Sequence, residues 1–311
     1  MIASRLVEES LTEEGRTDDV LLRFLLETSG VRGVLVRLTS TWQAVLERAP
    51  YPPAVAGCLG ETLAATALMT GHAKIDGRLS VQLRGTGALR SMFAECTRAG
   101  TLRGLADYSE PLPEPLGPRA FGDNSLLAIT IENIAAGGRD GTRYQGLVGL
   151  DADTMAEAFE GYFAQSEQLP TRMLLAADRS HAVGLMLQKL PDSVDDTDGW
   201  PRAVACFQTL GPDELIATPP RELLFRLFHE DGVCVRDGRT LCFGCSCSRE
   251  RVAAMLQSLG REEALASTDG QDPPMAQISC AFCGQTYRLG RDEVMALFDG
   301  PAAMTGPETL Q

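Results

Sequence analysis

Two short cysteine pairs near the C-terminus are spaced so that they could bind a metal ion together. They are Cys245-x-Cys247 and Cys280-x-x-Cys283. Zn²⁺ takes four thiolates in closed tetrahedral sites, and two such pairs set apart along a chain can supply them. Cys242 complicates the assignment, because Cys242-x-x-Cys245 would make an equally acceptable pair. The spacing therefore predicts a zinc site, and leaves open whether Cys242 or Cys247 completes it.

The other cysteines and the N-terminal residues bear on the redox environment. The chain has nine cysteines, and an acidic N-terminal segment that lacks the basic start and apolar stretch of a secretory signal. No run of about 18 apolar residues is evident, so no membrane span is expected. We therefore expect a cytoplasmic protein whose cysteines serve metal or redox chemistry. Cys58, Cys96 and Cys206, in apolar surroundings, are predicted to be buried core residues.

Charge and motif content exclude several classes of protein. The formal net charge is −14 and no dense Lys/Arg block occurs, so nucleic acid, including a zinc-ribbon interaction with it, is not an expected partner. The three histidines lie away from the cysteine pairs, which argues against a Cys–His nucleophile. The glycine-rich turn at 137–142 lacks the lysine of a phosphate loop. The residues thus give no indication of an enzyme or of a nucleotide site.

The order of predicted elements indicates an α+β protein, because strands and helices follow one another without a strict βαβ rhythm. A buried helix is predicted at 55–70, and Gly33 is expected to mark a bend or bulge in a strand at 31–38. The apolar run at 21–26 is interpreted as helical. The alternation of apolar and polar residues predicts a half-buried strand at 79–85. Further strands are predicted at 126–134 and 144–150, on either side of a glycine-rich turn, and a closing strand pair at 173–176 and 184–189.

Three parts are predicted along the chain, divided by an acidic, turn-rich stretch at 191–199. They are an N-terminal α/β core domain (1–190), a helical linker (191–241) and a small C-terminal zinc-binding domain (242–311). The last part is too short to bury a large core, so a metal is an expected additional tie. Within it, a helix at 249–259 with Ser248 as its N-cap and a hairpin-like zinc knuckle at 278–289 are predicted.

An amphipathic helix in the predicted linker carries four apolar residues on one side. Pro219-Pro220 opens this helix, and the apolar side is formed by Leu223, Leu224, Leu227 and Phe228. The simpler interpretation is an ordinary packed helix. The alternative is a connector whose apolar stripe can be uncovered to bind a client protein.

Distinctive motifs are spread over nearly the whole chain. In order along the chain they are Val31-Arg32-Gly33, Tyr51-Pro52, Tyr144-Gln145-Gly146, Ser166-Glu167-Gln168-Leu169-Pro170-Thr171-Arg172, Cys245-Ser246-Cys247-Ser248-Arg249-Glu250-Arg251 and Cys280-Ala281-Phe282-Cys283-Gly284. With these motifs the chain resembles the heat-shock protein 33 family, the redox-regulated, ATP-independent holdase chaperones of the bacterial cytosol. The resemblance implies the fold, cofactor and partners of that family.

By this resemblance, one Zn²⁺ is held in the reduced state by the two distinctive pairs, which here are Cys245, Cys247, Cys280 and Cys283. Cys242 departs from the family pattern and could compete for metal or join a non-native disulfide. Cys234, in the predicted linker, is a weaker complication of the same kind.

The family's behaviour implies a switch in which the reduced, zinc-bound protein is inactive. Oxidation would form the disulfides Cys245–Cys247 and Cys280–Cys283, release zinc, unfold the C-terminal domain and loosen the linker. Each disulfide closes a loop of only three or four residues, so neither replaces the long-range tie that the metal provides. Exposed apolar surface would then bind unfolding client proteins under oxidative and heat stress, and the oxidised protein would be a homodimer.

A thiol–disulfide oxidoreductase using Cys280 and Cys283 is the alternative function. Such enzymes usually place a Cys-x-x-Cys at the start of a helix within a thioredoxin-like fold. The sequence around this pair shows no βαβ pattern, which makes the alternative the weaker of the two.

Overall fold

The computed structural model describes residues 19–72, 75–133, 141–191, 198–270 and 272–299. They form two compact units, the first ending at Gly244 and the second beginning at Cys245. The residues of the predicted linker that the structure describes fall within the first unit. The predicted turn at Gly137 and Gly138 and the acidic stretch at 192–197 lie outside the described residues.

The first unit contains two sheets and a long helix between them. Its elements are β1 (Val20–Leu26), β2 (Val31–Leu38), α1 (Ser40–Leu46), α2 (Pro53–His72), β3 (Gly77–Arg84), β4 (Leu89–Thr97), β5 (Thr101–Tyr108), β6 (Leu126–Asn133), β7 (Arg143–Gly149), α3 (Met155–Tyr162), β8 (Thr171–Ala177), β9 (Ala182–Lys189), α4 (Gly199–Gln208), α5 (Pro212–Ala217), α6 (Pro220–Phe228), β10 (Val233–Thr240) and β11 (Cys242–Phe243). The first sheet has the order β10-β1-β2-β9-β8 and the second the order β11-β5-β4-β3-β6-β7. These elements confirm the predicted α+β class.

Helix α2 lies in the main core and contacts strands of both sheets. It is apolar on all sides, with Leu59, Leu63 and Leu68 fully buried, as expected for a helix covered on two faces. At 20 residues it is long and apolar enough to cross a membrane by length and composition, which the sequence analysis did not recognise. Because the helix is buried among the strands, its apolar composition is that of a core helix.

Strand β1 corrects the helical interpretation of residues 21–26. Its side chains alternate, with Leu22, Phe24 and Leu26 in one core cluster and Leu21 in the other. A short apolar run has the same composition in a buried strand and in a helix, so length and pairing decide between them. Here β1 pairs with β2 on one side and with β10 on the other.

Gly33 corrects a second prediction, because β2 shows no bulge at this position. The register is continuous through Gly33, which pairs with Phe24 on β1 and Leu187 on β9. A Cβ at Gly33 would lie 2.0 Å from Cζ of Phe24. The glycine therefore gives room for an aromatic ring that crosses the strand, and does not bend the chain.

Helices α4 to α6 cover the outer face of the first sheet. Leu223, Leu224 and Phe228 of α6 are fully buried in this second cluster, and Leu227 is partly buried there. The rings of Phe24 and Phe228 stack with their centroids 6.0 Å apart. The segment predicted as a linker thus supplies three covering helices and the edge strand β10.

The second unit is small and is built around a two-stranded hairpin. Its elements are α7 (Arg249–Leu259), α8 (Arg261–Ala266), β12 (Met275–Ser279), β13 (Thr286–Gly290) and α9 (Arg291–Ala296). Both local predictions are confirmed: the Arg251 N–H donates to Ser248 Oγ at 3.3 Å at the start of α7, and β12 and β13 form the hairpin. Its buried apolar core consists of Val252, Leu256, Ala264, Ala276, Leu289 and Val294.

Candidate metal centre

The two cysteine pairs are presented by different local structures. Cys245 and Cys247 lie in extended chain just before α7, and Cys280 and Cys283 lie in the turn between β12 and β13. In that turn the Cys280 N–H donates to the Gln285 carbonyl at 2.9 Å, and the Gly284 N–H donates to the Cys280 carbonyl at 2.8 Å. Gly284 has a φ of +71°, a left-handed conformation that glycine adopts without steric cost. The turn therefore directs two sulfurs to one point.

The four sulfur atoms form one group, all within 4.8 Å of one another. The Cys245–Cys280 distance is 3.7 Å and the Cys247–Cys283 distance is 3.3 Å between Sγ atoms. Four thiolates about 2.3 Å from a tetrahedral Zn²⁺ would lie about 3.8 Å apart. Both the spacing and the soft sulfur donors fit a structural zinc ion. No pair is joined in a disulfide.

The electrostatics of the group favour a bound cation. Partial burial and hydrogen bonds from the neighbouring sulfurs raise the pKa of the Cys283 thiol to about 12, so the cluster resists carrying several negative charges by itself. A divalent ion offsets this repulsion and favours the thiolate form.

Two arginines in the first turn of α7 secure the chain around the first cysteine pair. Arg251 donates to Ser246 Oγ at 2.6 Å, within the Cys-x-Cys segment itself. Arg249 pairs with Glu293 at 2.7 Å and donates to the Arg288 carbonyl at 3.1 Å. The two contacts of Arg249 tie the start of α7 to the start of α9, through Glu293, and to β13, through Arg288.

Tyr287 is a residue of this centre that the sequence analysis missed. Its hydroxyl donates to Cys247 Sγ at 3.1 Å. This hydrogen bond to sulfur is the main reason that the pKa of Tyr287 is raised to about 12, so the hydroxyl remains protonated and able to donate. No sequence motif indicates the contact, because it depends on the hairpin presenting β13 to the chain before α7.

The extra cysteines lie outside the four-sulfur group. Cys242 belongs to β11, which pairs with Thr101 at the start of β5 in the first unit. Cys234 is on β10. The structure thus brings together the four cysteines that the family resemblance implies, and it does not place Cys242 among them.

The remaining sequence-predicted residues lie in the first unit. Cys58 and Cys96 are buried as expected, whereas Cys206 is only partly buried. The apolar residues of α6 proposed for client binding face the first sheet, and their neighbour Phe225 is 60% exposed.

The surroundings of Cys280 and Cys283 differ from those of a redox enzyme's dithiol. The pair lies in a hairpin turn, and neither residue stands at the start of a helix. The helix dipole that lowers the pKa of an attacking thiol in such enzymes is therefore missing at this pair. This arrangement gives no support to the oxidoreductase alternative.

Comparison with known proteins identifies close relatives over most of the chain. Residues 19–290 match the family model described as Hsp33 protein. A 33 kDa chaperonin of Pseudomonas syringae pv. tomato is 40% identical over 288 residues, covering 91% of this chain and 94% of the relative. A 33 kDa chaperonin of Azotobacter vinelandii is 40% identical over 291 residues, covering 91% and 95%.

A solved structure has the same fold. The crystal structure of a 33 kDa chaperonin, a heat shock protein 33 homologue from Thermotoga maritima, superposes with a TM-score of 0.76 at 21% identity. The match covers 90% of this chain and 97% of that one.

Proposed function

The chain belongs to the Hsp33 family, and from this premise we propose that it is an ATP-independent holdase chaperone that oxidation activates. The observation that carries the proposal is the four-sulfur group of Cys245, Cys247, Cys280 and Cys283 in a chain with the family's sequence from residue 19 to 290. In the reduced state the four thiolates would hold one Zn²⁺. Zinc has no redox chemistry here; it ties two segments of chain together.

The distances between sulfurs explain why oxidation would dismantle this tie. Two of the sulfur contacts, Cys245 to Cys280 and Cys247 to Cys283, join cysteines 35 and 36 positions apart, across the two pairs. Disulfides within the pairs, Cys245–Cys247 and Cys280–Cys283, would replace these long-range links by two local ones. For each disulfide, two thiolates give up two electrons to a peroxide, which with two protons becomes two waters. Zn²⁺ would then be released, because the four cysteines would no longer offer thiolate donors.

The small core of the second unit supports the conclusion that zinc loss unfolds it. In the part of this unit that the structure describes, six buried apolar side chains form a small core. Structural zinc contributes roughly 10–16 kcal/mol to the folding of small zinc domains. A loop of three or four residues closed by a disulfide restricts the unfolded chain little. The oxidised unit would therefore lose its fold.

The client surface in this proposal is the apolar contact between α6 and the first sheet. Leu223, Leu224 and Phe228 are now buried, so this surface becomes available only if the helices covering the sheet are released. Unfolding proteins expose apolar side chains, which such a surface can bind without sequence specificity. The acidic, highly charged chain would keep the exposed form soluble. The oxidised form is proposed to be a homodimer in the cytoplasm.

An aggregation assay with reduced and oxidised protein tests the proposal. A thermally unfolding client enzyme is followed by light scattering, while zinc release is measured with a colorimetric chelator. We expect suppression of scattering only after peroxide treatment, together with release of one zinc per chain, and reversal by dithiothreitol plus zinc. A Cys206→Ser variant, which leaves the sulfur group intact, should behave like the unchanged protein. Equal suppression by the reduced and oxidised forms would refute the switch.

A further inference from the structure

We propose that Tyr287 is a positioning residue of the four-cysteine centre, whose hydroxyl bond to Cys247 Sγ slows the attack of that sulfur on oxidants. The inference rests on the proposed function, because it concerns how fast the same centre responds. It adds a residue that is neither a cysteine nor part of the cysteine motifs.

The position of Tyr287 gives it a fixed approach to the sulfur. It lies on β13 and pairs with Ile278 on β12, and its ring packs against the small core of the second unit. A tyrosine has few side-chain torsions, so an anchored ring holds its hydroxyl in place. The 3.1 Å contact to Cys247 therefore links the hairpin that carries Cys280 and Cys283 to the segment that carries Cys247.

The hydrogen bonds at the sulfurs differ in origin. Cys283 faces the backbone N–H of Gln285, a donor that the knuckle turn supplies whatever the side chain. Cys247 lies outside that turn and is bonded by a side chain. Reactivity at Cys247 can therefore be changed by substitution at Tyr287 without altering the turn.

A hydrogen bond donated to a thiolate lowers the rate at which the sulfur attacks a peroxide. The sulfur lone pair attacks one peroxide oxygen, the O–O bond breaks, and a sulfenic acid and hydroxide form. A neighbouring thiol then displaces water from the sulfenic acid to give the disulfide. The donated O–H makes the attacking sulfur less basic, and the nucleophilicity of a thiolate falls with its basicity with a Brønsted coefficient of about 0.4–0.5. For a hydrogen bond to a charged group we expect a rate effect of about fivefold.

Tyr287→Phe is the test variant, since it keeps the ring and removes the hydroxyl. Zinc release from the reduced, zinc-loaded full chain is followed under excess peroxide, and we expect it to be about fivefold faster than in the unchanged protein. Tyr144→Phe is the matched control. This variant also loses a hydroxyl hydrogen bond, the one between Tyr144 and Ser166 Oγ at 2.9 Å. Because Tyr144 lies in the first unit, the rate of zinc release from the Tyr144→Phe protein should not change.

Two further measurements separate a hydrogen bond to sulfur from a purely structural role. In the Co²⁺-substituted protein, the thiolate-to-metal charge-transfer band should shift in Tyr287→Phe and stay in place in Tyr144→Phe. Site-specific replacement of Tyr287 by a ring-fluorinated tyrosine makes the hydroxyl a stronger donor, and it should slow zinc release instead of accelerating it. A structural defect would not reverse direction in this way.

Two outcomes would overturn the proposal, and a third would overturn the chaperone proposal alone. An unchanged release rate and an unchanged Co²⁺ band in Tyr287→Phe would show that the contact has no influence on the sulfur. A Tyr287→Phe protein that no longer holds one ion per chain would show that the hydroxyl assembles the centre and does not set its rate. If the rates change as expected but neither oxidised protein suppresses client aggregation, the role of Tyr287 stands and the chaperone proposal fails.

Discussion

The two units are stabilised by different means. The first surrounds α2 with two sheets, so that residues such as Leu59, Val81 and Leu185 are completely buried. Among its described residues, the second buries six apolar side chains and gathers four cysteine sulfurs within 4.8 Å. Apolar burial scales with size, and small domains usually need a metal or disulfides in addition. In the proposed function, this difference would let the second unit respond to oxidants while the first remains folded.

Removing the metal should have the largest effect on this contrast. With a chelator and peroxide present, we expect residues 245–299 to lose hydrogen-exchange protection, because the metal contributes on the order of 10 kcal/mol to a small zinc domain. Peptides from α2 and its neighbouring strands should keep their protection, since no sulfur of the group lies in them. Exchange followed by mass spectrometry measures both units in one sample. Protection that persists at α7 and β13 after complete zinc loss would contradict the contrast.

Local signals explain which parts of the second unit were predictable from sequence. The cysteine spacing, the Ser248 cap and the tight turn at Gly284 depend on neighbouring residues, and the structure has the helix and the hairpin where they were expected. Tyr287 could not be identified, because its contact with Cys247 joins residues 40 positions apart.

The elements of the first unit that were predicted wrongly are strands whose conformation depends on pairing with strands distant in the sequence. β1 reads equally well as a short helix until its two partner strands are known. β10 was missed because its charged residues obscure the strand pattern, although Arg236 and Asp237 are typical of a protected sheet edge. The register shift opposite Arg23 and Phe24 adds a bulge to the same edge.

Shortening a buried side chain of α6 should weaken the first unit and leave the proposed zinc centre unchanged. Phe228 is completely buried and stacks on Phe24, so Phe228→Ala should lower the free energy of unfolding by about 3–5 kcal/mol. Urea unfolding measures the loss, and zinc content per chain should stay at one. Phe225→Ala is the control, because Phe225 is 60% exposed and its removal should cost about 0.5 kcal/mol or less. Equal costs for the two variants would mean that α6 does not depend on this packing.

A pH-dependent cost should appear in the first unit through Glu61 of α2. Burial raises the pKa of Glu61 to about 7 from 4.5. A carboxyl whose pKa is raised on folding favours the folded state while it is protonated and opposes folding once it is ionised. The stability associated with Glu61 is therefore fully present below pH 4.5 and is lost as the pH rises through about 7. Glu61→Gln should remove this slope and stabilise the protein at pH 8 by about 3 kcal/mol.

Thermal unfolding of the first unit from pH 4 to 8 tests this prediction, with the exposed Glu47→Gln as control. Parallel pH profiles for Glu61→Gln and the unchanged protein would show that burial at Glu61 carries no such cost.

The smallest expected effect is that of Cys242→Ser. Cys242 is held in β11 through its backbone, whose N–H donates to the Gly100 carbonyl at 2.9 Å, and its side chain is exposed. A serine can keep this pairing, so one zinc per chain and an unchanged midpoint of unfolding are expected. Cys247→Ser, by comparison, removes a sulfur of the group and should lose the metal. Measuring the zinc content of both proteins decides whether Cys242 or Cys247 is the fourth ligand, which the spacing of the cysteines left open. A Cys242→Ser protein without zinc would show that Cys242, in the first unit, is a ligand in place of Cys247.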